Sequence, residues 1–264
     1  MQLTEAQHRE VATDLVNAEE TKVWTEPLSL RYDDVDIEDA YAVGQMVTDM
    51  KVANGRVIKG HKVGLTSKAM REATNMHEPD YGTMFDNWFL DEGTQVSMSM
   101  LNKPAVEVEL VFVLKENLGG PSVNAADVIR ATDFVTPAIE IVDSRYAKRG
   151  SKLVIDSISD AASCGFVMLG ANQVSLGDID VRHVGGALYK NGEVVESGTA
   201  AAVMGNPIAS VAWLARKLGE FGVEMQAGHS ILSGSFIRIH PMRAGESFVA
   251  DFGPLGQISF GVIE

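Results

Sequence analysis

Apolar residues recur at helical spacing over the first part of the chain and then switch to short alternating runs, which separates a helical beginning from a strand-rich remainder. The pattern predicts one helix over residues 5–23 and a second over 36–53, opened by Asp36 as N-cap and closed by Asn54-Gly55. From Val57 onward, turn residues punctuate segments rich in Val, Ile and Phe, the residues that suit a pleated, half-buried surface. The clearest strand covers residues 106–114, where Val106-Glu107-Val108-Glu109 alternates and then gives way to continuous apolar residues. A short helix over 125–132 leads into a strand over 135–142. Residues 188–195 read as a hairpin with Asn191-Gly192 in a type I′ turn, because both central positions need positive φ. An amphipathic helix over 207–221 starts at Pro207 and carries Val211, Leu214 and Leu218 on one stripe. Strands over 230–239, 247–252 and 257–262 close the chain. With no internal repeat or linker, the reading is an α+β chain with a helical arm over residues 1–55 and a β-rich core over 56–264.

Composition narrows the function. The 264 residues carry 22 Lys and Arg against 36 Asp and Glu, a formal net charge of -14. With no basic block, that charge repels nucleic acid and anionic membrane surfaces, so neither is an expected partner. A single Cys excludes an intrachain disulfide and a thiolate zinc cage, and Cys164 reads as a small buried side chain. Apolar runs such as residues 110–114 fall far short of the roughly 20 residues a membrane helix needs. The first residues mix acids and bases with no apolar stretch of the export type, so a cytoplasmic protein is expected.

The candidate chemistry is acidic. Glu107 and Glu109, two apart on a strand, project from one face about 7 Å apart along the backbone and within reach of one cation. The pair alone reads equally as a solvated strand face. Glu140 does not, because it lies in the apolar run Pro137-Ala138-Ile139-Glu140-Ile141-Val142, and a buried carboxylate must be paired or bind a metal. Oxygen donors without clustered Cys or His favour Mg²⁺ or Mn²⁺ over Zn²⁺. A second cluster, Gly60-His61-Lys62-Val63-Gly64-Leu65-Thr66-Ser67, places a Lys and two hydroxyls between glycines at a strand-to-helix turn. Lys62 there either steadies an anion or moves a proton, or is simply a surface Lys before a helix, the plainer reading from spacing alone. Asp80, in Glu78-Pro79-Asp80-Tyr81-Gly82, reads as a general base or, more plainly, as an Asx-turn residue.

Together these motifs resemble the 2-oxopent-4-enoate hydratase family, which includes 2-oxohept-3-ene-1,7-dioate hydratases and the related 4-oxalocrotonate decarboxylases. Asp160-Ala161-Ala162-Ser163, Gly205-Asn206-Pro207, Ala212-Trp213-Leu214-Ala215 and Leu255-Gly256-Gln257-Ile258 extend the resemblance over nearly the whole chain in order. The resemblance implies a fumarylacetoacetase-like core, a homo-oligomer, and meta-cleavage degradation of aromatic compounds. It implies Mg²⁺ or Mn²⁺ on Glu107, Glu109 and Glu140, with Lys62 and Asp80 as catalytic groups. Leu65, Thr66, Ser163, Ser235 and Arg238 become substrate contacts. The implied reaction hydrates a 2-hydroxy-2,4-dienoate, through its 2-oxo-3-enoate tautomer, to a 4-hydroxy-2-oxo acid. The chain departs from the family where Ala161 replaces an Asn common in members, which removes an amide from the implied substrate contacts. Asp80 favours hydration over decarboxylation, since decarboxylases tend to carry an apolar residue there, and the decarboxylase is the alternative activity. A non-catalytic 2-oxo acid binder would need the glutamates without Lys62 and Asp80. An acylpyruvate hydrolase would call for a His–Glu pair, and His61 and Glu78 sit in no such motif. Arg238, in Ser233-Gly234-Ser235-Phe236-Ile237-Arg238, either meets a distal carboxylate, which would fit a seven-carbon diacid, or lies on the surface of a late strand.

Overall fold

The computed structural model describes residues 1–74 and 76–264. In chain order the elements are α1 (Glu5–Thr21), α2 (Leu28–Arg31), α3 (Ile37–Ala53), β1 (Ile58–Gly64), α4 (Lys68–Thr74), β2 (Asp80–Phe85), β3 (Phe89–Leu90), β4 (Gln95–Ser97) and β5 (Ala105–Leu114). They continue as α5 (Ala125–Ala131), β6 (Thr132–Val142), α6 (Leu153–Ser159), β7 (Cys164–Leu169), β8 (Gly185–Lys190), β9 (Glu193–Thr199), α7 (Pro207–Glu220), β10 (Ser230–Leu232), β11 (His240–Pro241), β12 (Ser247–Asp251) and β13 (Gln257–Ile263). One mixed sheet runs β2-β1-β10-β5-β6-β7-β3, with β11 also paired to β5, and a second runs β4-β13-β12-β8-β9. Their apolar faces share one core, in which Val108, Leu110, Phe112, Ile139, Leu188, Phe248 and Ile258 are fully buried.

The N-terminal helices hold a second core. Val11, Leu15, Val43 and Val47 pack with Tyr146, Ile155 and Ile158, so the apolar stripes of α1 and α3 close on α6 and the segment before it. Asp36 caps α3 as expected, accepting from the Asp39 N–H. Asp39 is itself buried and accepts from the backbone N–H groups of Gln2, Leu3 and Asp36, while its Oδ1 lies 2.8 Å from His8 Nε2. Burial alone would raise the Asp39 pKa, but these donors outweigh it and pull the value from 3.8 down to about 2. A depressed carboxylate stabilises the fold above its unfolded pKa and loses that contribution as pH falls through the folded value. Asp39→Asn is therefore expected to unfold at lower temperature than the unsubstituted protein at neutral pH. Thermal scans should show the gap closing as pH drops from 3.8 to about 2.

Most of the expected elements form. The hairpin turn has Asn191 at φ 52° and Gly192 at φ 86°, as a type I′ turn requires. Helix α7 starts at Pro207 behind an Asn206 cap and buries Val211, Leu214 and Leu218. The strand expected over 230–239 is instead only three residues long. After Leu232, both the N–H and the hydroxyl of Ser233 donate to the Leu110 carbonyl, and Gly234 adopts φ 115°. That positive φ is outside strand geometry and sends the Gly234 N–H to a side chain, so residues 233–239 form a loop. No described helix is long and apolar enough to cross a membrane.

Candidate active site

Strands β5 and β6 assemble the acidic cluster. Their antiparallel register sets Glu107 directly opposite Glu140, and Glu109 follows on the same face of β5. One carboxylate oxygen from each of the three lies within 4.8 Å of the others. Glu109 and Glu140 are fully buried and Glu107 is partly buried, so the reading of the pair as a solvated strand face does not hold. Burial, with the repulsion of Glu140 next, raises the Glu107 pKa to about 7. Burial and the negative charges of Glu140 and Glu107 push Glu109 well above the usual carboxylate range.

Protein groups compensate this charge only in part. Glu109 Oε2 accepts from the Gly234 N–H at 2.8 Å, and Lys62 Nζ stands 3.0 Å from Glu140 Oε1. Glu109 Oε1 and Glu140 Oε2 have no hydrogen-bond partner among the described residues, and Glu140 Oε1 meets only the Lys62 charge. Three converging carboxylates against one ammonium, with orphaned oxygen donors, fit a hard divalent cation such as Mg²⁺ or Mn²⁺. Among the described residues this is the one group of three or more His, Cys, Asp or Glu donors close enough to hold a metal.

Lys62 is buried on β1, which corrects the plainer reading of a surface Lys. Burial works to lower its pKa, but Glu140, Glu107 and Asp80 outweigh that effect and hold it above the ordinary value. Across the β1–β2 pair it faces Gly82, and its Nζ donates to the Ala162 carbonyl at 2.9 Å. That carbonyl belongs to a left-handed turn in which Ala161, Ala162 and Ser163 have φ of 50°, 50° and 58°. Such a conformation costs roughly 1–2 kcal/mol per non-glycine residue. The buried Arg145 holds the turn from both sides: Nε meets Asp160 Oδ1 at 2.5 Å, Nη2 donates to the Asp160 carbonyl at 2.7 Å, and Nη1 to the Cys164 carbonyl at 2.5 Å. A Cβ on Gly82 would lie 2.0 Å from the Ala161 oxygen, so only glycine lets the turn approach β2. Arg145 and Gly82 escape sequence reasoning, although a glycine cross-strand from a candidate Lys is a signal of close approach.

Asp80 opens β2 and is buried, so it is not the residue of an exposed Asx turn. It pairs in register with Gly64, where a Cβ would lie 2.1 Å from Asp80 Oδ1. The glycine thus makes room for the carboxyl. Burial raises the Asp80 pKa, the Lys62 charge opposes the rise, and Glu140 adds to it. Its Oδ1 has no hydrogen-bond partner among the described residues.

A cavity of about 640 Å³ opens beside these groups, lined by Gly64, Leu65, Thr66, Glu107, Glu196, Ser235 and Arg238. Arg71 Nη1 donates to the carbonyls of Leu65 and Thr66 at 2.8 and 2.7 Å, which fixes this wall with Leu65 at φ 54°. Ser235 Oγ donates to the Ile237 carbonyl at 3.0 Å and shapes its own loop. Arg238 is exposed and lies on that loop rather than on a strand, with Nη2 2.7 Å from Glu196 Oε1. Ser163 instead lines a separate cavity with Asn102, Ser144 and Tyr146, and Ala161 lines a small one with Tyr41 and Tyr81. His61 points to the other face of β1, with its ring 5.8 Å from that of His229, and burial lowers its pKa to about 3. Glu78 pairs with Lys217 at 2.9 Å, so the structure does not assemble His61 and Glu78 as a pair.

The chain is similar to known proteins over nearly its whole length. The chain is 41% identical over 257 residues to 2-oxo-hept-4-ene-1,7-dioate hydratase of Escherichia coli, a match covering 96% of each chain. It is 34% identical over 256 residues to 2-keto-4-pentenoate hydratase of Paraburkholderia xenovorans (strain LB400), covering 97% of this chain and 95% of that one. Its fold superposes on 4-oxalocrotonate decarboxylase from Pseudomonas putida G7, solved in complex with magnesium and adipate, at a TM-score of 0.95 with 35% identity over 99% of both chains. Residues 51–263 match the family described as fumarylacetoacetate (FAA) hydrolase C-terminal, and the chain belongs to that family.

Proposed function

We propose that the protein is a metal-dependent hydratase that converts a 2-hydroxy-2,4-dienoate, through its 2-oxo-3-enoate tautomer, into a 4-hydroxy-2-oxo acid in meta-cleavage degradation of aromatic compounds. The hydratase names of its relatives support this reading. The observation that carries it is Asp80: a buried carboxyl with a raised pKa and an unpartnered oxygen, electrostatically coupled to Lys62 beside the acidic cluster. A pure 2-oxo acid binder has no use for such a proton carrier.

Glu107, Glu109 and Glu140 would hold Mg²⁺ or Mn²⁺, and the ion supplies Lewis-acid polarisation of the 2-oxo acid end of the substrate. Lys62, aimed by the Ala162 carbonyl, stabilises negative charge on the 2-oxygen. Asp80 carries the proton from the 2-hydroxyl to C5 in ketonisation, then takes one from the water that adds at C4 and returns it to C3. Leu65, Thr66 and Ser235 form the walls along the substrate chain, and Arg238 receives a distal carboxylate where the substrate has one. Ser163 contributes through the turn that presents the Ala162 carbonyl.

The decarboxylase reading is favoured by one observation, the near-complete superposition on the P. putida G7 enzyme. Mass analysis of products separates the two. With Mg²⁺ present, 2-hydroxypenta-2,4-dienoate or its seven-carbon diacid analogue is expected to lose dienol absorbance and gain the mass of one water, and EDTA is expected to stop both changes. Loss of CO₂ from 4-oxalocrotonate without hydration of either dienoate would assign the decarboxylase activity instead.

A further inference from the structure

At its solvent-exposed end, the lining of the 640 Å³ cavity includes charges from two different parts of the fold. Glu196 comes from β9, in the second sheet, and its side chain is only 18% exposed. Arg238 comes from the loop after β10, and its side chain is 85% exposed. They meet at 2.7 Å, and both line the cavity that has Glu107 on its wall. Among the described residues this is the one ion pair that Arg238 makes.

The asymmetry in exposure matters. The carboxylate is held in the wall, whereas the guanidinium lies in water and is free to swing, so the pair is weak and exchangeable. A substrate with its 2-oxo acid end at the acidic cluster and a second carboxylate at the mouth would bring that charge beside Glu196. It must then displace Glu196 from Arg238 or share the guanidinium with it. A substrate ending in a methyl or methylene group meets neither demand.

We infer that Glu196 is a specificity-determining residue: its charge occupies Arg238 in the ligand-free protein and disfavours 2-oxo acids that carry a distal carboxylate relative to those that do not. This rests on the cavity being the substrate site of the proposed hydratase. Removing the charge leaves Arg238 unopposed for a dicarboxylate and abolishes the repulsion between the two carboxylates.

The test measures binding of two saturated analogues, 2-oxoadipate and 2-oxohexanoate, to the Mg²⁺-loaded protein by calorimetry. Glu196→Gln is expected to shift the affinity ratio toward the diacid by roughly 3- to 5-fold, the scale of a partly exposed charge pair. Arg238→Gln is expected to move the ratio the opposite way. A ratio that stays fixed in Glu196→Gln, or that moves toward the monoacid, overturns the inference, as does failure of both analogues to bind the unsubstituted protein. Turnover of the dienoates is scored separately, so a protein that discriminates these analogues without hydrating any dienoate would retain the specificity role and lose the hydratase assignment.

Discussion

Glu109→Gln is expected to make the ion-free protein more stable and to abolish its stabilisation by Mg²⁺. Glu109 is fully buried, spends one oxygen on the Gly234 N–H and leaves the other unpartnered beside Glu107 and Glu140. Its ionised form is disfavoured by burial first and by those two neighbours next, which is why its pKa stands well above the usual range. The amide keeps the shape and an acceptor for Gly234 while removing the charge. Relief of an uncompensated buried group is worth about 1–3 kcal/mol, and in a chain of this size that raises the unfolding temperature by several degrees. The same change removes one of three anionic ligands, so added Mg²⁺ should no longer shift the transition. Thermal scans of both proteins in EDTA and in Mg²⁺ read both effects. An unchanged Mg²⁺ shift in the variant would remove Glu109 from the ligand set.

Asp80→Asn is expected to lower kcat for dienoate hydration by roughly 10²- to 10⁴-fold, the usual contribution of a positioned acid or base. The carboxyl sits in a space that Gly64 opens for it, so an amide of equal size fits without displacing β1. Stabilisation by Mg²⁺ should survive, because Asp80 is not among the converging carboxylates. Steady-state kinetics alongside thermal scans separate the outcomes. Loss of the Mg²⁺ shift together with activity would mean that Asp80 supports the ion site rather than moving protons.

The acidic cluster was legible because its signal is local. A period-two alternation fixes which residues of β5 share a face, and a glutamate within an apolar run marks burial before any partner is known. The Asn191-Gly192 turn and the Pro207 start of α7 are equally local. Lys62 and Asp80 are different. From spacing alone a surface Lys and a turn residue were the plainer readings, and the resemblance tipped both toward the chemical alternatives. Their burial depends on β1 lying between β2 and β10, a pairing with residues far along the chain. Gly234 misled for the opposite reason: the apolar run over 230–239 reads as a strand, but the glycine directs its N–H to Glu109 instead of to the ladder. Glu196 left no trace, because it becomes informative only when the second sheet brings it to Arg238. Arg145 was equally silent, since nothing in the sequence shows that it grips both ends of the turn presenting the Ala162 carbonyl.

The most direct test of the account is turnover in isotopically labelled water. Purified protein with Mg²⁺ is mixed with a freshly generated 2-hydroxy-2,4-dienoate, and the product is analysed by mass spectrometry with fragment assignment. The account predicts a 4-hydroxy-2-oxo acid carrying heavy oxygen in its C4 hydroxyl, with none formed in EDTA or by Glu109→Gln. Dienoate that ketonises without gaining a C4 hydroxyl would contradict it, as would a labelled product formed at the same rate without the metal.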